Sequence, residues 1–467
     1  MTFSTVTFVL FFLPAVLFLY FLCPKRWKGA RNGILLAASV FFYAWGEPIN
    51  VLLILLCVGL TWILSKSVEQ RKKWAVFLSI AVNLLPLAVF KYADFFLDNA
   101  NRIPGIHIPL LGLALPAGIS FYTFQVITYI VDLYREKVKR QKNLAYLTLY
   151  IFFFPQLIAG PIVRYIDIEE QIENRTSDWN GCFEGMRRFI IGLAKKMLVA
   201  NQAGMAADAI GGLVSHEIGM GLSWIWVFSF GVQILFDFSG YSDMAIGIGR
   251  IFGFHFLENF DKPYHSTSIT EFWRRWHISL SSFFRDYVYI PLGGSRVAKG
   301  RHIFNLFVVW FLTGLWHGAY WNYAFWGVYY FILLTGEKFF YGKYLEKLPY
   351  VAKRFLTFLA YMFGWGIFLF ESNSMKEIAL HLLKFIGITF GSGGITASQL
   401  QIQGNLLIVT AGLMLAMLPR PKWINGFQKR KPALYMAAEG ILLLLLALVS
   451  IMTIVSESFN PFIYFRF

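Results

Sequence analysis

An all-α polytopic membrane protein is the fold class this sequence predicts, and three observations predict it. Hydrophobic residues fill 57% of the 467 positions and charged residues only 15%, for a mean hydropathy of +0.57. The apolar residues gather in runs of about 15–20, the length a bilayer core demands. The runs lack the alternation of half-buried strands, and only helices and closed barrels satisfy their backbone inside lipid. A net charge of +16 would point to nucleic acid in a soluble chain. Here Lys and Arg fall in short loops between apolar runs, the positive-inside pattern, so the expected surroundings are membrane lipid and no nucleic acid.

The N-terminal run Val6 to Leu22 has no basic stretch before it and no small-residue cleavage motif, so it reads as a retained first span. The basic clusters "CPKRWKGAR" (23–31) and "SKSVEQRKK" (65–73) mark cytoplasmic loops. Two runs, 32–46 and 49–64, fit between them and turn at Glu47 and Pro48. The run 74–90 goes out, "KYADFFLDNANRIPGIHIPL" (91–110) reads as an outer loop, and 116–133 returns to "REKVKRQK" (135–142). The next stretch, 143–165, is apolar but interrupted by Pro155, Gly160 and Pro161. Proline frees backbone groups in mid-run, and a full crossing would put Arg187, Arg188, Lys195 and Lys196 outside. A re-entrant or broken helix removes both difficulties.

The run 189–212 then goes out and 221–238 comes in. A basic amphipathic segment, 249–302, stays at the cytoplasmic side as an interfacial element. The runs 303–318 and 321–340 form the next pair, 355–370 goes out, and an amphipathic stretch, 375–390, lies outside with "GSGG" (391–394). The runs 403–418 and 434–455 complete about twelve spans, both ends outside. Residues 1–467 read as a single integral-membrane domain. Three scattered cysteines, Cys23, Cys57 and Cys182, have neither disulfide nor metal spacing, and no metal is expected.

The residue that stands out is His317, in "LTGLWHGAYWNYAFWGVYY" (312–330). It lies about fourteen residues, or roughly 20 Å, beyond the cytoplasmic end of its helix. An ionisable group at that depth faces the protein interior or a wet cavity. A second segment, "SITEFWRRWHISLSSFFRDYVYIPLGGSR" (268–296), carries His277, Arg274, Arg275, Arg285 and Asp286. Its aromatic residues recur at helical spacing. It reads either as a membrane anchor or as a vestibule for an anionic donor. Asp237, Tyr241 and Asp243 occur in or beside an apolar run, where charges need partners; Arg250 or Arg285 are the expected ones. Arg164 either meets a phosphate or marks the cytoplasmic side.

Taken in order, "FYTFQVITYIVDLYR" (121–135), "FPQLIAGPIVRY" (154–165), "FDFSGYSDMAIGIGRIFGF" (236–254), "FWRRWHISLSSFFRDYVYIPLGGSR" and "FLTGLWHGAYWNYAFWG" resemble the membrane-bound O-acyltransferase family. The likeness is closest to the bacterial branch that includes the alginate O-acetyltransferase membrane subunit. It runs from about Tyr43 to Tyr330, and more loosely to the C-terminus. The resemblance implies a ring of spanning helices around a thin central funnel leading to a histidine. That histidine maps to His317, in a catalytic region spanning 303–330, with His277 as a second candidate. It implies acyl transfer, most simply of acetyl, from a cytoplasmic thioester to a hydroxyl of a cell-envelope polysaccharide or exopolysaccharide. The donor is acetyl-coenzyme A or an acylated carrier phosphopantetheine, a co-substrate and not a tightly bound cofactor. A secreted or periplasmic acetyltransferase partner and a bacterial inner-membrane location follow from the same resemblance.

The chemistry is coherent. A hydroxyl attacks a thioester poorly unless a base takes its proton, and histidine suits that task. His317 is the expected base, with an acyl-imidazole as the other route. Trp316, Trp321 and Trp326 are expected to wall a tunnel that excludes water. Trp276, Arg285, Asp286, Arg164 and Asp237 are donor-binding or tunnel candidates. His277 positions the donor or packs beside Arg285 or Asp286. Three rival functions remain at this point: D-alanyl transfer from a carrier protein to teichoic acid, a transporter or flippase without chemistry, and a structural scaffold for an envelope polymer synthase.

Overall fold

The computed structural model describes residues 1–213, 218–388, 397–418, 421–456 and 462–463; the "GSGG" stretch and His216 lie outside them. Among the described residues every regular element is a helix. The chain divides into two compact units. One comprises Met1–Phe189, Ser242–Glu258 and Ser282–Pro291; the other comprises Ile190–Tyr241, Asn259–Ser281 and Leu292–Phe467.

In the first unit the apolar runs form helices Thr7–Leu22, Asn50–Glu69 and Lys73–Asn101, with Lys28–Ala44 between the first two. The outer loop expected from residue 91 begins only after Asn101. Pro86 lies inside the helix, and a π-helical turn at Ala88–Tyr92 follows it without ending the rod. Ile119–Tyr134 buries 14 of its 16 residues. At about 24 Å it is a core helix, buried all round although it carries Thr123, Gln125, Thr128 and Asp132.

The interrupted stretch is built as two short helices, Leu144–Phe152 and Phe154–Leu157. Phe153 takes a non-helical conformation between them, two residues before Pro155, whose ring would clash with a continuing helix. The freed groups find protein partners, as lipid burial requires. Phe154 N–H donates to Ser39 Oγ at 3.1 Å, and Gln156 Nε2 donates to the Tyr150 carbonyl at 2.5 Å. Gly118, at φ +75°, lets its backbone approach the Leu157 carbonyl, where a Cβ would collide.

In the second unit, Lys299–His317 and Trp321–Gly336 form a tight antiparallel hairpin. It crosses at two glycines: a Cβ on Gly314 would strike the Tyr323 carbonyl, and one on Gly327 the Trp310 carbonyl. This backbone-to-backbone approach is the use membranes make of small residues. Around the hairpin an aromatic core gathers Trp273, Trp276, Trp326, Trp365, Tyr264, Tyr330 and Tyr361, all buried.

The segment 268–296 corrects its expectation. It is not one amphipathic helix lying on a surface. Ile269–Arg275 ends at Trp276, His277 takes φ +44°, and a second helix, Ile278–Phe284, starts beyond it. Phe272, Trp273, Trp276, Leu280, Phe283 and Phe284 are all buried. Their periodicity reports packing against protein.

Among the described residues, four helices are long and apolar enough to cross a bilayer: Asn50–Glu69, Lys73–Asn101, Met220–Ile251 and Pro432–Ser456. Thr7–Leu22 and Leu406–Met417 are shorter apolar helices. Pro432–Ser456 has only 17% of its apolar window buried in protein, so most of that surface is left for lipid.

Candidate functional site

His317 is the last residue of its helix; Gly318 leaves helical geometry with an extended backbone. A Cβ on Gly318 would run into the Tyr323 ring, so the turn can close only over glycine. The imidazole is 4% exposed. The ring of Trp316 lies 4.9 Å from it, that of Trp326 5.0 Å and that of Phe368 5.1 Å, all near perpendicular. Such edge-to-face packing gives the ring an apolar enclosure and one orientation. Behind the enclosure, Trp326 meets Trp273 at 5.4 Å and Trp365 at 6.4 Å, and Trp276 meets Trp365 at 4.7 Å.

The chain after the histidine is pinned to the segment that supplies Phe368. Trp321 N–H donates to Asn373 Oδ1 at 3.3 Å, and the Tyr323 hydroxyl donates to Glu371 at 3.1 Å. Buried Asn322 donates to the carbonyls of Ile367 and Phe368 at 3.4 Å.

His277 belongs to the same unit and meets the same indole: its ring lies 5.9 Å from Trp316. It is 1% exposed, and burial pushes its pKa down to about 3, so the ring is neutral at physiological pH. Its hydrogen bonds go to Asn259 and Ser279. The partnership expected with Arg285 or Asp286 is not the one formed.

Asp237 also has a different partner from those expected. It pairs with Lys196 at 2.6 Å, the two side chains 1% and 5% exposed, and accepts from the Ile463 amide at 2.7 Å. Asp243 pairs with Arg188, and Arg250 with Glu184. Tyr241 stacks on Phe462 at 4.6 Å.

Arg164, Arg285 and Asp286 come together in the first unit. Arg285 holds both oxygens of Asp286, at 2.7 and 3.1 Å, and Arg164 reaches the same carboxylate at 3.2 Å. Arg164 is also clamped by Asp167 at 2.9 and 3.0 Å. Arg135 donates to the Asp286 carbonyl at 3.2 Å, and the Tyr287 hydroxyl donates to Asp132 at 2.5 Å. Burial would raise the Asp286 carboxyl, but its hydrogen bonds to Arg285 and the charges of Arg285, Arg164 and Lys137 outweigh that and hold it below its ordinary value. Arg164 and Arg285 thus balance Asp167 and Asp286, and of the four side chains Arg285 is the most exposed.

Sequence reasoning missed Asn259, Phe368, Asn322 and Lys196. Asn259 and Phe368 carry no motif and stand on other segments from the histidines they touch; Asn322 lies within 312–330, but its partners Ile367 and Phe368 are on a distant segment. Lys196 was read as a topological charge; an apolar run on each side was the available signal that it needed a buried partner.

A family model described as the membrane-bound O-acyltransferase family matches residues 35–375. Over its whole length the chain is 37% identical to the whole of a Pseudomonas putida protein named "Probable alginate O-acetylase AlgI". It is 33% identical to the peptidoglycan O-acetyltransferase of Helicobacter pylori, over 82% of this chain and 79% of that one. With the teichoic acid D-alanyltransferase of Bacillus subtilis it shares 29% identity over 62% of this chain and 76% of the other.

Proposed function

The chain belongs to the membrane-bound O-acyltransferase family, and we propose that it moves an acetyl group from a cytoplasmic thioester to a hydroxyl of a cell-envelope polysaccharide or exopolysaccharide. The observation that carries this is the enclosure of His317 by Trp316, Trp326 and Phe368 at the end of the glycine-crossed hairpin. An imidazole sealed from bulk water can take a proton from a hydroxyl while the thioester is protected from hydrolysis.

In the step proposed, the hydroxyl oxygen forms its bond to the acyl carbon and the carbon–sulfur bond breaks. His317 takes the hydroxyl proton and returns it to the departing thiolate. Trp276 and the Trp316 indole pack the enclosure, and Trp321 anchors the turn beyond it. The exposed guanidinium of Arg285, held in place by Asp286, is the donor that suits the phosphates of acetyl-coenzyme A or of a carrier's phosphopantetheine. In this reading the ring of about twelve helices forms a thin central funnel, and the whole chain acts as one catalytic domain in a bacterial inner membrane. A periplasmic partner completes transfer to the polymer.

Similarity to the teichoic acid D-alanyltransferase supports a second reading, D-alanyl transfer from a carrier protein. The likeness to proteins named for O-acetylation, full-length for one and over 82% of this chain for the other, favours acetyl. Family membership removes the reason to read the chain as a transporter without chemistry.

The test uses purified protein in liposomes loaded with labelled acetyl-coenzyme A, with label followed to a hydroxyl acceptor outside. His317→Ala and His317→Gln should each lose about 10²–10⁴-fold, the worth of a general base, with folding intact. Equal label from native protein and His317→Ala would refute the role of His317.

A further inference from the structure

We propose that Asn259 is a positioning residue that sets the tautomer of His277, so that Nδ1 carries the proton and Nε2 presents its lone pair to the acyl-transfer site. The functional half rests on the reading above; the tautomer rests on geometry alone. One side-chain atom of Asn259 receives three contacts: His277 Nδ1 at 3.1 Å, Ser279 N at 3.2 Å and Ser279 Oγ at 2.8 Å. A backbone N–H can only donate, so that atom is the amide oxygen and not the nitrogen. The oxygen has no hydrogen to give, so Nδ1 must be the donor. A neutral imidazole has a single N–H, and Nε2 is therefore the acceptor.

The same residue shapes the backbone. The Asn259 carbonyl accepts from Ile278 N–H at 3.0 Å, so Asn259 gathers three consecutive residues, 277 to 279. His277 is held there at φ +44°, a left-handed conformation that non-glycine residues rarely take and that persists only when its surroundings over-determine it. Asn259 and His277 are 0% and 1% exposed. With the ring neutral, its tautomer decides which chemistry it offers. The imidazole stands edge-on to Phe238 at 4.6 Å and beside Trp316, the indole that also borders His317. A ring with an accepting Nε2 can orient a hydroxyl or thiol by taking its hydrogen bond. The opposite tautomer would offer an N–H to the oxygen or sulfur and leave that group's own hydrogen without an acceptor.

The experiment is nitrogen-15 spectroscopy of the full chain in detergent micelles with labelled histidine, the His277 ring assigned by its loss in His277→Gln. The expected spectrum has a protonated Nδ1 and an unprotonated Nε2. In Asn259→Ala the tautomers should mix, and kcat for acetyl transfer should fall about 10²-fold with KM for the donor unchanged, as when a tautomer-setting or orienting partner is removed. Asn259→Asp keeps an accepting oxygen and should restore most of the rate, which a packing defect would not allow. An Nε2-protonated ring in the native protein would overturn the proposal, as would native spectrum and rate in Asn259→Ala. The spectrum needs no turnover, so failure of the acyl-transfer reading is told apart from failure of this one.

Discussion

Replacing Lys196 by methionine should be among the most destabilising single changes in the second unit. Its ammonium lies 2.6 Å from Asp237, with side chains 5% and 1% exposed. Methionine keeps most of the stem volume and removes the charge, leaving a carboxylate buried with one remaining partner, the Ile463 amide. Breaking a buried pair costs about 3–5 kcal/mol. The surviving charge-assisted hydrogen bond keeps the expected loss near about 3 kcal/mol. The double change Lys196→Met with Asp237→Asn removes both charges and keeps a carbonyl for the Ile463 amide. It should return to within about 1 kcal/mol of the native protein, because desolvation of the ions disappears along with their attraction. The assay is a double-mutant cycle of denaturant unfolding in detergent, read by tryptophan fluorescence. A single mutant as stable as the native chain, or a double mutant worse than the single, would refute the reasoning. Asp237→Asn with an intact fold and no acetyl transfer would assign Asp237 to the reaction.

Three further outcomes are expected. Gly314→Ala and Gly327→Ala each place a methyl against a backbone carbonyl that cannot swing aside, and should cost about 1–3 kcal/mol and displace His317 and Trp326; Gly300→Ala, where a Cβ meets nothing within 4 Å, is the neutral control for thermal unfolding and transfer. Phe368→Leu should leave the protein folded but raise thioester hydrolysis relative to transfer, measured as labelled acetate against labelled acceptor, because Phe368 is fully buried against His317. The folded-state pKa of Asp286 is depressed, so its contribution to stability is present above the unfolded carboxyl value of about 3.9 and is lost as pH falls through the folded value. Asp286→Asn should remove that contribution near neutrality and flatten the acid limb of a stability–pH curve below about pH 4.

Helix positions were largely legible, because a run of apolar residues and a basic cluster act on their immediate neighbours. The proline-interrupted stretch around Pro155 was legible for the same reason: a missing N–H and a ring clash are local. The role of the aromatic periodicity in 268–296 was not. Spacing reports which face of a helix is apolar, and it is silent on whether lipid or protein covers that face. Asn259 could not be singled out, since an asparagine in an irregular stretch carries no signal until its amide oxygen is seen between Ser279 and His277.

The sequence by itself determined that this chain is helical and lipid-embedded, that its family motifs are present, and that His317 lies deep along an apolar run. Those properties follow from composition and from chemistry within a few residues. Only the tertiary structure decided that Trp316 borders both histidines, that Lys196 rather than an arginine answers Asp237, and that Asn259 hydrogen-bonds His277. Those choices depend on which distant segments close upon one another, and burial makes each choice strict, because a charge or a polar atom without its partner there costs too much to tolerate.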